Sequence, residues 1–228
     1  MKKIILLITL AGGLTSAGAQ GFANLDFQSA NIPNSTSSGS FVSITDAIPG
    51  WTGYLGTDQQ TPVLYNALAI GAANLAILGT NYNYPGLLIP GNPYTVVLQA
   101  GYDGAPENVS ASIAQTALIP TTAESILFTA SFPYAAGWQV TIDGQVVPVS
   151  QVGTVSSNYG IYVGDVSVFA GQIEELKFTA LSDGVPTVNL YLGSISFSST
   201  AVPEPSELAL GALGAFLFSF RRWGNSLR

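Results

Sequence analysis

The sequence predicts an all-β fold, a two-sheet β-sandwich, flanked by an N-terminal signal peptide and a short C-terminal transmembrane helix. Three observations carry that prediction. Runs rich in Val, Ile, Thr, Tyr and Phe recur at short spacing between 20 and 200, separated by Gly, Pro, Asn and Asp. No long amphipathic helical pattern occurs in that stretch. All basic residues but one lie in two short terminal segments built around apolar runs.

The N-terminal segment, 1–19, reads as a secretory leader. Lys2 and Lys3 form a positive region, Ile4 to Leu14 an apolar one, and Ala17-Gly18-Ala19 a small-residue cleavage site, with cleavage expected before Gln20. The apolar run is too short for a membrane span and ends in small residues, so a cleaved peptide is expected over an anchor. Export through the Sec machinery follows from that reading.

Residues 20–200 are long enough for one domain with a substantial core. Strands are expected at Asn24–Gln28, Phe41–Thr45, Val63–Asn66, Ala73–Leu78, Tyr94–Ala100 and Ser110–Thr116. Further strands are expected at Ile126–Phe132, Trp138–Ile142, Gln145–Val149, Gly160–Phe169, Glu174–Leu181 and Val188–Ser198. The sharpest local signal is Asp143-Gly144 between two alternating runs, a pair suited to the positive φ angles of a type I′ hairpin. Pro148 then belongs at an edge or strand end, since it cannot donate to a ladder. Ala67 to Leu78 also suits a helix by its Ala and Leu content, but Gly71, Gly79 and the Asn74–Leu78 run favour strands. Ser110–Thr116 and Leu176–Leu181 alternate as strands with one wet face do. Many short strands in one exported domain fit two packed sheets.

The charge balance narrows the partners. The body carries eleven carboxylates against a single base, Lys177, a net charge of about −10. Such a surface repels phosphate backbones and anionic membranes, so nucleic acid is not an expected partner. The chain has no cysteine and no histidine. Disulfides, thiolate and imidazole metal sites, a cysteine nucleophile and a Ser-His-Asp triad are thereby excluded. No enzyme activity is expected, and no cofactor. Asp58, Asp103, Glu107, Asp165 and Asp183 are loop carboxylates of a kind that binds structural calcium, but none falls in a recognisable calcium loop, so no site is assignable. Glu174 and Glu175 are adjacent and point to opposite faces of a strand, which does not make a glycosidase pair.

Four aromatics are candidates for glycan contact. Tyr82 and Tyr84 lie in Asn81-Tyr-Asn-Tyr-Pro85, and Trp51 and Tyr54 in Pro49-Gly-Trp-Thr-Gly-Tyr54. Exposed rings stack on the apolar face of a sugar while neighbouring amides bond its hydroxyls. The other reading of the same rings is packing beneath loops or at the ends of the sandwich. Trp138, at the start of a hairpin strand, is expected in the core.

The last segment, 201–228, has three parts in order: Val202-Pro203-Glu204-Pro205-Ser206, an uncharged apolar run from Leu208 to Phe220, and a basic tail, 221–228, opening with Arg221-Arg222. That order resembles PEP-CTERM sorting proteins, with Pro203, Glu204 and Pro205 matching the motif position by position. The resemblance implies a bacterial exosortase as processing partner and delivery through an inner-membrane intermediate to the cell surface or extracellular matrix. It also implies association with exopolysaccharide or biofilm. The run is short. Thirteen residues give about 20 Å of helix against about 30 Å of hydrocarbon, which fits a transient membrane handle better than a permanent anchor. Arg221 and Arg222 suit the cytoplasmic side.

The body is also similar to galactose-binding-like jelly rolls. The likeness rests on Asn24-Leu-Asp-Phe-Gln28, Ile48-Pro-Gly-Trp51, Ala111-Ser-Ile-Ala-Gln115 and Leu192-Gly-Ser-Ile-Ser-Phe197. It implies a jelly-roll-like sandwich with paired first and last strands and glycan contacts at edge loops. Where that group often carries an Asp pair, this chain has Gly193-Ser194, so a cation-binding role does not carry over. A non-catalytic surface or matrix protein is the leading expectation, and a carbohydrate-binding module using loop aromatics the alternative.

Overall fold

The computed structural model of the chain describes residues 20–102, 108–132, 137–182 and 187–202. The leader at 1–19 and the sorting segment from Pro203 onward lie outside the described residues, so the motif, its apolar run and the basic tail carry no structural description. Among the described residues no helix is long and apolar enough to cross a membrane.

The body is mostly β, with two sheets packed as a sandwich. In chain order the elements are β1 (Phe41–Ser43), α1 (Ile44–Ala47), β2 (Thr52–Leu55), β3 (Asp58–Gln60), β4 (Pro62–Tyr65), β5 (Asn74–Gly79) and β6 (Tyr94–Tyr102). There follow β7 (Asn108–Val109), β8 (Ala111–Leu118), β9 (Ser125–Ser131), β10 (Trp138–Ile142), β11 (Gln145–Val146) and β12 (Val149–Ser156). The last are β13 (Tyr159–Asp165), β14 (Ile173–Ala180) and β15 (Thr187–Ser198). One sheet runs β1-β4-β5-β6-β15-β9-β13-β12, with β7 appended to β6; the other runs β11-β10-β14-β8-β2-β3. All pairings are antiparallel except β4 with β5.

Between the sheets alternate residues interdigitate. Phe178 and Trp138 on the smaller sheet meet Phe128 on the larger, at ring separations of 5.1 and 6.0 Å. Trp138 also stacks on Phe132 at 4.3 Å, in line with its expected place among core side chains. Phe128, Phe178, Ile113, Ile126, Val140 and Leu98 are essentially sealed from water. A second, smaller apolar cluster lies on the outer side of the larger sheet. There Tyr159, Tyr191, Leu78 and Val97 pack against Ile89 of the overlying segment 80–93.

That segment is held by specific contacts. The Tyr159 hydroxyl donates to the Leu87 carbonyl at 2.7 Å, and the Thr95 hydroxyl accepts from the Ile89 amide at 3.0 Å. Gly193 sits at a bulge in β15, and a Cβ there would collide with Ile89. Ser194 accepts from the Asn92 amide at 3.2 Å. The Gly193-Ser194 pair therefore serves to seat the covering segment.

Burial pushes the Tyr159 phenol well above its ordinary value of 10.0, with Tyr191 adding to the shift. The neutral phenol is favoured in the fold, so its contribution is complete below pH ~10 and is lost as pH rises through the folded-state value. Urea midpoints measured between about pH 9 and 11 should fall in the wild type. The fall should be shallower in Tyr159→Phe, which starts about 1 kcal/mol lower from the lost hydrogen bond. Parallel curves would rule out Tyr159 as the source.

Several expectations were met and others were not. The Asp143-Gly144 turn has φ of 50° and 70°, the type I′ pattern, and joins β10 to β11. Pro148 lies between β11 and β12, where the chain passes from the edge of one sheet to the edge of the other. Ala67 to Leu78 contains a strand only from Asn74 onward. Asn24–Gln28 is not a strand. Asn24 and Phe27 take φ of 51° and 58°, and the Asn24 side chain closes the turn by accepting from the Ser29 amide at 3.0 Å. Asn tolerates that left-handed geometry because its short polar side chain bonds locally. The expected strand at Gly160–Phe169 stops at Asp165, whose carboxylate accepts from the Ser167 amide and hydroxyl and starts a 3₁₀ turn.

The first and last strands do not pair. β1 is an edge strand on β4, whereas β15 lies between β6 and β9. The two ends of the described body instead converge on the β8–β9 connection. Gln20 accepts from the Leu118 amide at 3.1 Å, and the Thr200 carbonyl accepts from the Ser125 hydroxyl at 2.7 Å. Phe22 and Phe197 pack beside them, their rings 5.3 Å apart and tilted by 36°.

Candidate functional site

The four candidate aromatics do not form one site. Trp51 is 4% exposed, packs on Phe27 and Phe178, and donates its indole N–H to the Asn24 carbonyl at 3.2 Å. It is a core residue, which corrects its assignment to glycan contact. The turn formed by Asn24–Gln28 folds over it, a cover that no local sequence pattern signals. Tyr54 lies on β2, on the outer face of the smaller sheet, with the Lys177 ammonium 5.1 Å from its ring centroid.

Tyr82 and Tyr84 remain together at the surface of the segment over the larger sheet, 5.7 Å apart and tilted by 59°. Tyr84 is 65% exposed, while Tyr82 is half-buried against the second apolar cluster. Burial, and then the neighbouring Tyr84, raises the Tyr82 phenol above its ordinary value. The Tyr82 phenol therefore stays a neutral hydrogen-bonding group at physiological pH, and the Tyr84 ring beside it is presented to solvent.

The second surface was not foreseen as a site. On the smaller sheet β8, β10 and β14 send Ile113, Val140, Ile142, Leu176 and Phe178 inward. Their outward neighbours Ser112, Gln139, Thr141, Glu175, Lys177 and Thr179 line a depression of about 540 Å³. Asn108 to Ser110 and Gly56 wall one side, and Gly144 the other. The face expected to be wet is partly enclosed. Ser112, Thr141 and Thr179 are only 2%, 7% and 7% exposed. Their hydroxyls, the Gln139 amide and the Glu175 carboxylate make no hydrogen bond to the rest of the described chain, and no ion pair holds Lys177 there. The floor is thus a set of donors and acceptors directed at whatever fills the depression.

No group of three or more metal-ligating side chains converges among the described residues. Asp58 lies on β3 and not in a loop, and the Asp165 carboxylate is engaged by Ser167; Asp103, Glu107 and Asp183 fall outside the described residues. Two buried amide oxygens, Asn74 Oδ1 and Asn189 Oδ1, have no partner. They flank Gln99 in one cross-strand row of β5, β6 and β15, and the Gln99 amide is spent on the Ala69 and Ala72 carbonyls. Such a row suits an ordered water, which bridges buried acceptors elsewhere in proteins.

No protein-family model matches the chain, and no curated protein matches it. Among solved structures it is similar to a beta-glucosidase from Kluyveromyces marxianus in complex with glucose, at 8% identity and a TM-score of 0.29. The match covers 86% of this chain and 20% of that one, so the chain spans about a fifth of that protein's length. A likeness at that score carries no argument about the fold or activity of this chain.

Proposed function

We propose that this chain is an exported, non-catalytic bacterial surface or extracellular-matrix protein, released from an inner-membrane intermediate by processing at Val202-Pro203-Glu204-Pro205-Ser206. The observation that carries the reading is the placement of that motif against the fold. β15 ends at Ser198, whose carbonyl accepts from the Glu124 amide at 2.8 Å, and Thr200 is tied to Ser125. Only residues 199–202 separate the last ladder from Pro203. Cleavage at the motif would therefore detach a finished sandwich without removing any described strand. The strongly acidic body, which keeps clear of anionic lipid, and the basic pair Arg221-Arg222 after a short apolar run point the same way. In this reading the leader is cut between Ala19 and Gln20, and exosortase and the Sec machinery are partners in transit. The body is a jelly-roll-like sandwich associated with extracellular polysaccharide. The exposed Tyr84 ring beside Tyr82 favours carbohydrate binding as a second reading.

In a host carrying an exosortase, Glu204→Ala should accumulate as the longer, membrane-held form, while the wild type appears shortened in the extracellular fraction. Immunoblots of the two fractions decide it. Normal amounts of shortened Glu204→Ala would overturn the sorting assignment.

A further inference from the structure

We infer that the depression on the outer face of the smaller sheet binds an uncharged polysaccharide chain. The inference extends the polysaccharide-associated reading above to a definite surface, and it differs from the Tyr82–Tyr84 patch in place and in chemistry.

Four features carry it. First, the floor is made of groups that both donate and accept: the Ser112, Thr141 and Thr179 hydroxyls and the Gln139 amide. A vicinal diol presents the complementary pairs. Secondly, these groups are unspent. Their exposure is only 2–7% for the three hydroxyls, yet they have no protein partner among the described residues and are not sealed off from solvent. Buried polar groups are normally hydrogen-bonded, so a set of them opening on one depression requires water or ligand there.

Thirdly, the two charges in the depression balance. Glu175 and Lys177 lie two residues apart on the same face of β14 without forming an ion pair. One accepts from hydroxyls and the other donates to them, and their sum gives neither an anionic nor a cationic polymer an advantage. The remaining carboxylates of the body, ten against no further base, disfavour an anionic chain still more. Fourthly, the floor is polar throughout and the depression runs along an open sheet face spanning β8, β14 and β10. A protein partner would call for a central aromatic or aliphatic anchor, whereas the one apolar side chain in the lining, Val109, stands in a wall and not on the floor. Tyr54 is occupied beneath Lys177 and fixes the ammonium over the β2 side of the floor.

The test is affinity electrophoresis of the full-length chain in mild detergent. The gels contain dextran, mixed-linkage β-glucan or galactomannan as neutral probes and polygalacturonate as the anionic one. At least one neutral polymer should retard the wild type saturably. Glu175→Gln combined with Gln139→Ala should weaken that retardation about tenfold or more, by removing a charge-assisted and a neutral hydrogen bond. Tyr84→Ala should leave it unchanged. If the double variant loses its native near-ultraviolet circular dichroism, Lys177→Gln supplies the same comparison. Retardation by no neutral polymer, by polygalacturonate alone, or equally in wild type and groove variants would overturn the inference. So would loss confined to Tyr84→Ala. A chain that is processed normally yet never retarded would remove the binding surface and leave the export route standing; a chain retarded but unprocessed would do the reverse.

Discussion

Phe178→Ala should cost about 3–5 kcal/mol of folding stability, a large part of the ~5–15 kcal/mol available to a domain. Phe178 is fully buried on β14, with Val140 and Ile113 as its register partners on either side. Its ring meets Phe128 edge-on at 5.1 Å across the sandwich and Trp51 at 6.4 Å within the same apolar layer. Removing it deletes transfer free energy and leaves a void lined by rings that cannot collapse together without moving β9 toward β14. Urea unfolding followed by tryptophan fluorescence reports it, because Trp51 is a direct neighbour. The midpoint should fall sharply with little change in slope. A loss below about 1 kcal/mol would mean that the two sheets do not meet through this ring.

The second large effect is expected from a single methyl group. Gly101→Ala aims a Cβ at main-chain atoms, the Gly71 carbonyl oxygen at 2.6 Å and the Ala72 carbonyl carbon at 3.1 Å. Side chains give way by changing rotamer, but this backbone is fixed. Ala73 donates to the Tyr102 carbonyl at 2.7 Å, and Tyr102 donates to the Gly71 carbonyl at 2.9 Å. Accommodation must break that pair of bonds or shift β6, so a cost of about 1–3 kcal/mol is expected. Gly153→Ala is the matched control, since the nearest atom to its Cβ is Ile161 Cδ1 at 3.7 Å, an ordinary contact. The same urea series should find Gly153→Ala nearly neutral. Equal costs at the two positions would refute the close approach at Gly101.

Local signals made the sandwich and its best hairpin legible. β10 and β11 declare themselves because Asp143-Gly144 has one comfortable conformation and the flanking runs alternate. The same rule could have found β2 and β3, which went unassigned. Gly56-Thr57 joins Leu55 to Asp58 with positive φ at the glycine alone, as a type II′ hairpin requires. β12 carries no clear signal, because Pro148 reads as the end of one strand and not as the break between two. Val152 and Val155 face solvent there on an edge broken by two bulges, so no inward period marks it. Asn24–Gln28 looks extended only until Asn24 and Phe27 turn left-handed.

Sites were less legible than strands. Tyr82 and Tyr84 could be placed at a surface from their loop-like neighbours. The depression could not, because its floor comes from β8, β10 and β14, which are far apart in sequence. They become neighbours only through the order β10-β14-β8, a long-range pairing that no local pattern encodes. Ser112, Gln139 and Thr179 read individually as ordinary outward residues of alternating strands.

The convergence of both ends of the described body on the β8–β9 connection has a mechanical consequence. A pull between Gln20 and Thr200 acts across one pole and would peel contacts in sequence, beginning with the Gln20–Leu118 and Ser125–Thr200 bonds. A pull between Thr200 and the sheet surface instead enters β15 along its length. That strand spans twelve residues with β6 on one flank and β9 on the other. Its bonds lie across the direction of load and share it together. The domain should yield readily when its own ends are drawn apart, and resist when tethered at the trailing end and held by its face.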